Sequence, residues 1–389
     1  MSPPALRLGF VPLLDAAPII VAREMGFAEA EGLALELCAA PSWSSLRDMV
    51  LWGQVEAAQM LAPIPVAIAL GLVGPVARLD ILQVLSVNGD VLGVSSAIET
   101  RLRGMGFGFD FVDAKAARAG LAAAVTGELR IGVPFPFSTH AALVRHWLAG
   151  EGPAFSLHTI PPPQMAEALA AGEIDAFCVG EPWGSVAVER GVGALLLPGA
   201  AIWAAAPEKV LAARHDWIGT QPETVARLMR AVWQAGRWMD MPANRATVAD
   251  LLARSEHVNA PPELLDRALS GQMVISTRGE ERRVGDMIRF HAGAAAFPWR
   301  SQAAWFACQL ARIHGLDVAA AVGAAMAICR TDLYRANLRG VGADLPGASS
   351  RIEGALDHPT AVASERGTMI LPRDVFFDRA IFDPTRPDC

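Results

Sequence analysis

Apolar residues come along this chain in short runs with two alternating spacings, and that alternation sets the expected architecture. Leu6–Val11 predicts a buried strand, and helix-spaced positions follow it. Ala17–Met25 and Gly26–Glu31 predict a helix broken at Gly26-Phe27, and Leu33–Cys38 predicts the next strand. Ser44–Leu51 is helical in character, with Ser42 or Ser44 placed to cap it. Further on, strands over Ile81–Val87, Leu129–Val133 and Ala176–Val179 alternate with helices over Thr139–Leu148 and Met165–Ala171. Across 222–239 the apolar positions 225, 228, 229, 232 and 233, with small Gly236 next in step, form one stripe of an α-helix. Helical character continues over 245–255, 262–270, Ala303–Ile313 and Val318–Ala327, then gives way to a polar, Gly/Pro-rich tail. Asn88-Gly89 reads as a turn closing its strand. Strands alternating with helices predict an α/β fold with mainly parallel sheets.

Composition narrows the function classes. A chain of 389 residues, 52% apolar and 19% charged, buries a large core in two or three domains and is not disordered. A formal charge of −7 argues against a surface that collects nucleic-acid phosphates. The apolar run Met60–Val76 is interrupted by Pro63 and Pro65 and does not read as a membrane span. Lys115 and Lys209 are the only lysines among many arginines, a coding bias against which a surviving lysine marks a position that needs a compact point charge. Cys38, Cys178, Cys308, Cys329 and Cys389 are scattered, with no Cys-x-x-Cys, which suits free buried thiols in a reducing compartment. Met1-Ser2-Pro3-Pro4-Ala5 runs straight into the first strand without an apolar leader, so a cytoplasmic address is expected unless a leader has been removed or lies upstream.

No nucleophile elbow, zinc-protease helix, P-loop or close Cys/His cluster is present, so the expectation is a binding protein rather than an enzyme. Gly104-Met105-Gly106-Phe107-Gly108 lacks the full phosphate-binding pattern and reads as a turn; Glu280-Glu281-Arg282-Arg283 reads as a solvated face. The most informative segments are Pro161-Pro162-Pro163-Gln164-Met165 and Asp175-Ala176-Phe177-Cys178-Val179-Gly180-Glu181-Pro182-Trp183. The strand Ala176–Val179 ends in Gly180, where backbone can approach a ligand closely, then in a Glu181-Pro182 turn and in Trp183, with its apolar face and single N–H donor. Small ligands sit at the carboxyl ends of strands in α/β folds. On spacing alone the segment is also an ordinary strand–loop junction.

These segments resemble the nitrate/bicarbonate-binding family of type II periplasmic-binding-like proteins. Leu8 to Pro18, Ala40 to Asp48, Phe135 to His140 and Pro207 to Leu211 carry the same resemblance, which covers roughly residues 5–275 in order. It implies a type II periplasmic-binding-protein-like fold of two lobes with ligand in the cleft between them. One lobe would comprise 1–92 plus 203–289 and the other 93–202, with 290–389 a helical segment and tail packed on both. Ligand positions follow residue by residue. Trp43 would offer its indole N–H, and His140 would sit at a helix start where backbone N–H groups and the dipole favour an anion. Gly180 would offer backbone and Lys209 charge. Without the resemblance, Trp43 reads as a core aromatic and His140 as a structural histidine; His146 and His158 fall on no matched position. The family's bicarbonate branch carries an acidic residue and calcium at the position of Lys209, so Lys209 points to nitrate or nitrite with no metal and no cofactor.

Asp90 stands where the family has glutamine. Glutamine donates to a nitrate oxygen and ionised aspartate cannot, which leaves Asp90 to pair with Lys209 or His140, turn outward or carry a proton. The resemblance, with the leaderless start, implies a cytosolic nitrate/nitrite sensor that holds an RNA-binding antitermination regulator until the anion arrives. It would make no direct nucleic-acid contact. The alternative is the substrate-binding component of a nitrate ABC transporter.

Overall fold

The computed structural model describes residues 5–74 and 77–387. The opening Met1 to Pro4, the end of the Met60–Val76 run and Cys389 lie outside the described residues. The apolar runs become strands: β1 Leu6–Phe10, β2 Leu35–Ala39, β3 Ala57–Leu61, β4 Leu79–Asn88, β5 Asp90–Ser95, β6 Leu129–Val133, β7 Phe155–Thr159, β8 Ala176–Gly180, β9 Gly193–Pro198 and β10 Pro207–Arg214. They build a six-stranded sheet in the order Ile288–Arg289, β4, β10, β3, β1, β2, and a five-stranded sheet in the order β7, β6, β8, β5, β9.

Both sheets are mixed rather than mainly parallel. β1 pairs in parallel with β2 and β3, as β6 does with β7 and β8. β10 lies antiparallel between β3 and β4, and β5 antiparallel between β8 and β9. The cause is the way the chain changes sheet. It leaves the first sheet along β4 and enters the second as β5, then returns from β9 through 199–206 into β10. The strands that carry the chain across run against their neighbours.

Asn88-Gly89 is therefore a crossing, not a reverse turn. Asn88 has φ 61° and Gly89 φ 105°, backbone that asparagine tolerates and glycine adopts freely. The Asn88 amide donates to the Ala204 carbonyl (3.1 Å), and its oxygen accepts from the Ala206 N–H (3.2 Å). One side chain thus laces the outgoing crossing to the returning one.

Helices Ala17–Glu24, Trp43–Leu51, Thr139–Leu148, Pro222–Met239 and Pro262–Ser270 follow the periodicity closely, while the helix expected over 245–255 ends at Leu252. The Ser42 hydroxyl caps Trp43–Leu51 by accepting from the Ser45 N–H at 3.2 Å. The stripe Val225, Leu228, Met229, Val232 and Trp233 is buried and packs on the helix Ala17–Glu24. Beyond residue 290, helices Arg300–His314 and Val318–Ile328 cover Pro63–Ala69. The Gly/Pro-rich tail forms a hairpin, Thr360–Ser364 with Gly367–Leu371, and stacks Phe376 on Trp203 of the returning crossing, ring centroids 4.9 Å apart. Isolated aromatics in an aperiodic segment give no such signal. Cys38, Cys178 and Cys329 are free as expected, whereas Cys308 is disulfide-bonded. Among the described residues no helix is long and apolar enough to cross a membrane.

Candidate functional site

Where the two sheets face each other across the crossings, a cluster of polar side chains lies sealed from solvent. Lys209 on β10 is fully buried, and its ammonium sits 2.6 Å from Asp15 Oδ2 and 2.6 Å from Glu208 Oε1. Sequential residues on a strand ordinarily face opposite ways. Here the pairing of β10 with β4 slips between Pro207 and Lys209 and again between Lys209 and Val210, an irregularity of the kind that re-aims side chains, and Glu208 and Lys209 meet. Asp15 enters from the short turn Leu14–Ala16 after β1. Gln59 on β3 steadies it, donating to Asp15 Oδ1 while accepting from the Val11 N–H at 2.9 Å.

The second sheet contributes the other wall. His140 is the second residue of the helix Thr139–Leu148, whose cap is the Ser138 hydroxyl accepting from the Ala141 N–H at 3.0 Å. Thr139 donates to the Pro207 carbonyl (2.8 Å), which holds this helix start against β10. His140 Nδ1 lies 3.3 Å from Glu208 Oε1 without hydrogen-bond geometry, and neither ring nitrogen has a partner. Trp43 opens its helix beneath the lysine, with Lys209 Nζ 5.2 Å from the ring centroid and the indole N–H unpartnered. Asp90 is the first residue of β5, paired in register with Gly180. Its Oδ2 accepts weakly from the Cys178 thiol (3.7 Å), and its Oδ1 has no partner. A Cβ on Gly180 would fall 2.8 Å from Leu13, 3.5 Å from Asp15 Oδ2 and 3.9 Å from His140 Nε2, so the close approach needs glycine.

The structure thus brings together all five residues singled out in the sequence: Trp43, Asp90, His140, Gly180 and Lys209. Trp183 stays at the rim, half-buried, with its N–H donated to the Pro12 carbonyl (3.0 Å), while the Leu14 N–H donates to the Glu181 carbonyl (3.0 Å). A groove of about 530 Å³ between the helices Trp183–Glu189 and Pro262–Ser270 is lined by Trp183, Leu264 and Arg267, and no member of the buried cluster lines it. Asp15, Gln59 and Glu208 join the cluster without a sequence signal of their own. Asp15 lay inside a matched segment, and Glu208 was hidden because a regular strand would have turned it away from Lys209.

Burial dominates the electrostatics. It pushes the Asp15 and Glu208 carboxyls up against the pull of Lys209. It pushes Asp90 up to about 7, helped by the negative charge of Glu208. Burial alone would lower Lys209, yet Asp15 and Glu208 outweigh it and hold the ammonium charged. Burial and then the Lys209 charge take His140 well below the ordinary imidazole range, so its ring is neutral, with one N–H and one lone pair. One ligand-capable atom from each of Asp90, His140 and Glu208 lies within 4.8 Å of the others. A divalent ion there would share Glu208 with the Lys209 ammonium, two like charges in a dry interior. The cation this cluster is built around is the lysine.

The model of the NMT1-like family matches residues 1–253. The nitrate/nitrite binding protein NrtA of Synechocystis is 30% identical over 404 aligned residues, covering 98% of this chain and 82% of that protein. The nitrate import ATP-binding protein NrtC of the same organism is 32% identical over 320 residues; the match covers 80% of this chain but only 46% of that longer protein. The crystal structure of the periplasmic nitrate-binding protein NrtA from Synechocystis superposes with a TM-score of 0.84 at 27% identity, covering 98% of this chain and 96% of that one.

Proposed function

The chain belongs to the NMT1-like family, and on that footing we propose that it binds nitrate or nitrite in the buried cluster as the substrate-binding component of an ATP-driven importer. One observation carries the ligand class: the Trp43 N–H and His140 are buried and unpartnered beside an ammonium with two of its three N–H bonds committed. A small flat acceptor would give those donors a partner, and the positive charge favours an anion. The name of one relative, a nitrate import ATP-binding protein, supports import, and that of the other supports binding of nitrate or nitrite. The sensor reading, with its cytosolic address and its antitermination partner, rests on the resemblance, and no observation favours it over import.

The test is titration calorimetry at pH 6 against nitrate, nitrite, bicarbonate with calcium, and an alkanesulfonate. Saturable binding of one nitrate or nitrite per chain is expected. Trp43→Phe keeps an aromatic ring and loses the donor; it is expected to weaken that binding about 10- to 100-fold, the scale of one hydrogen bond to a charged group. Absence of heat with nitrate and nitrite alike contradicts the proposal.

A further inference from the structure

Asp90 raises a difficulty for any anion in this cluster. Nitrate and nitrite offer only acceptors, and the same cluster already holds two unpartnered carboxylate oxygens, Asp90 Oδ1 and Glu208 Oε2. Asp15 and Glu208 each hold the Lys209 ammonium at 2.6 Å, so their charge is partly met. Asp90 has no such cation within bonding distance: its partner is a weak thiol donor, and it packs so closely on Gly199 that an added Cβ there would fall 2.4 Å from Oδ1. The carboxyl is thus held in place at 1% exposure and cannot swing out to water. With Asp90 ionised, the cluster sets three carboxylates against one ammonium, and an incoming anion adds a fourth negative charge.

We propose that Asp90 binds the anion as a carboxylic acid, its O–H taking the place of an amide donor, so that above neutral pH each anion is taken up together with one proton. This rests on the anion reading above and adds a coupling to it. The balance is simple: the proton comes from water or buffer, forms the O–H bond on Asp90, and returns to solvent when the anion leaves.

Of the groups around the cluster, Asp90 and Glu181 are both pushed to about 7, and the choice of variant separates them. On β10, Lys209 stays charged, and Glu208 is committed to that ammonium. On β8, burial and Asp90 itself hold the Cys178 thiol far above its ordinary range. On the helix Thr139–Leu148, His140 is neutral throughout. On the turn after β1, Asp15 is committed to Lys209. Glu181, in the loop after β8, also rises to about 7 on burial, but it accepts from the Ser185 N–H, and changing Asp90 leaves it in place.

The experiment is nitrate and nitrite calorimetry on the full chain from pH 5.5 to 8.5. It uses buffers of different ionisation enthalpy, free of sulfonate and phosphate, for the wild type and Asp90→Asn. Asparagine keeps a donor and cannot titrate. With Asp90 at about 7 in the free protein, wild-type affinity is expected to fall about 30-fold from pH 6 to 8.5, with about one proton taken up per anion at pH 8.5 and almost none at pH 5.5. Asp90→Asn is expected to be flat in both measures. Wild-type binding that is flat with pH overturns the proposal, as does a pH slope that survives in Asp90→Asn. A requirement for added divalent cation, abolished by EDTA, also overturns it by replacing the proton with a metal. Failure of both proteins to bind at every pH removes the anion reading itself, a result distinct from a flat titration.

Discussion

Replacing Lys209 with methionine is expected to destabilise the protein by about 3–5 kcal/mol above neutral pH and to abolish anion binding, because it leaves two buried carboxylates without their cation. Asp15 and Glu208 both lie 2.6 Å from the ammonium and are essentially inaccessible to water. Methionine fills similar volume, so lost packing contributes little. The pH dependence separates charge from packing. Burial already raises both carboxyls, and removing Lys209 raises them further. The folded variant therefore binds more protons than the unfolded chain between the ordinary carboxylate range and the raised folded values. Its stability falls as pH rises through that window, and the deficit against wild type shrinks toward pH 5. Urea denaturation of both proteins at pH 5 and pH 8 checks this. An equal loss at both pH values would show that Lys209 acts by volume rather than charge.

Gly199→Ala is expected to cost about 1–3 kcal/mol, the scale of overpacking a closed interior. Gly199 opens the returning crossing, and an added Cβ would lie 2.4 Å from Asp90 Oδ1 and 2.6 Å from its Cγ and Oδ2. The carboxyl has little room to yield, because it is 1% exposed and the Cys178 sulfur lies 3.7 Å from Oδ2. Truncating the neighbour should relieve the clash. Asp90→Ala alone removes a buried carboxyl whose one partner is a weak thiol donor and is expected to be close to neutral, while the double variant recovers most of what Gly199→Ala loses. A double-mutant cycle by urea denaturation measures that coupling. Additive losses would mean that the strain lies elsewhere in the crossing.

How far the sequence discloses this site depends on what kind of regularity each residue obeys. The strands ending at Gly180 and Asn88 and the helix starts at Trp43 and Thr139 follow from periodicity and caps, which are local. The matched segments carry Trp43, His140, Gly180 and Lys209 to one place, and Asp90 joins them at the start of β5. Glu208 escapes because its orientation depends on a slip in register between β10 and β4, a pairing of residues more than a hundred apart. Asp15 escapes because its role comes from Lys209, nearly two hundred residues away. Asn88-Gly89 has the composition of a turn, and only the second sheet, lying beyond it, makes it a crossing. The mixed sheets have the same origin: a single-strand pattern does not say which neighbour the strand will find. Asp90 is legible as a departure from its family; what it does depends on burial, which the sequence does not state.

The most direct measurement is a crystal structure of the protein grown with nitrate or nitrite below pH 6. One anion is expected in the cluster, with its oxygens within hydrogen-bond distance of Trp43 Nε1, a His140 ring nitrogen, Lys209 Nζ and a carboxyl oxygen of Asp90. An anion bound elsewhere, or a cluster that stays closed around Lys209 with none bound at saturating concentration, would contradict the assignment of this site.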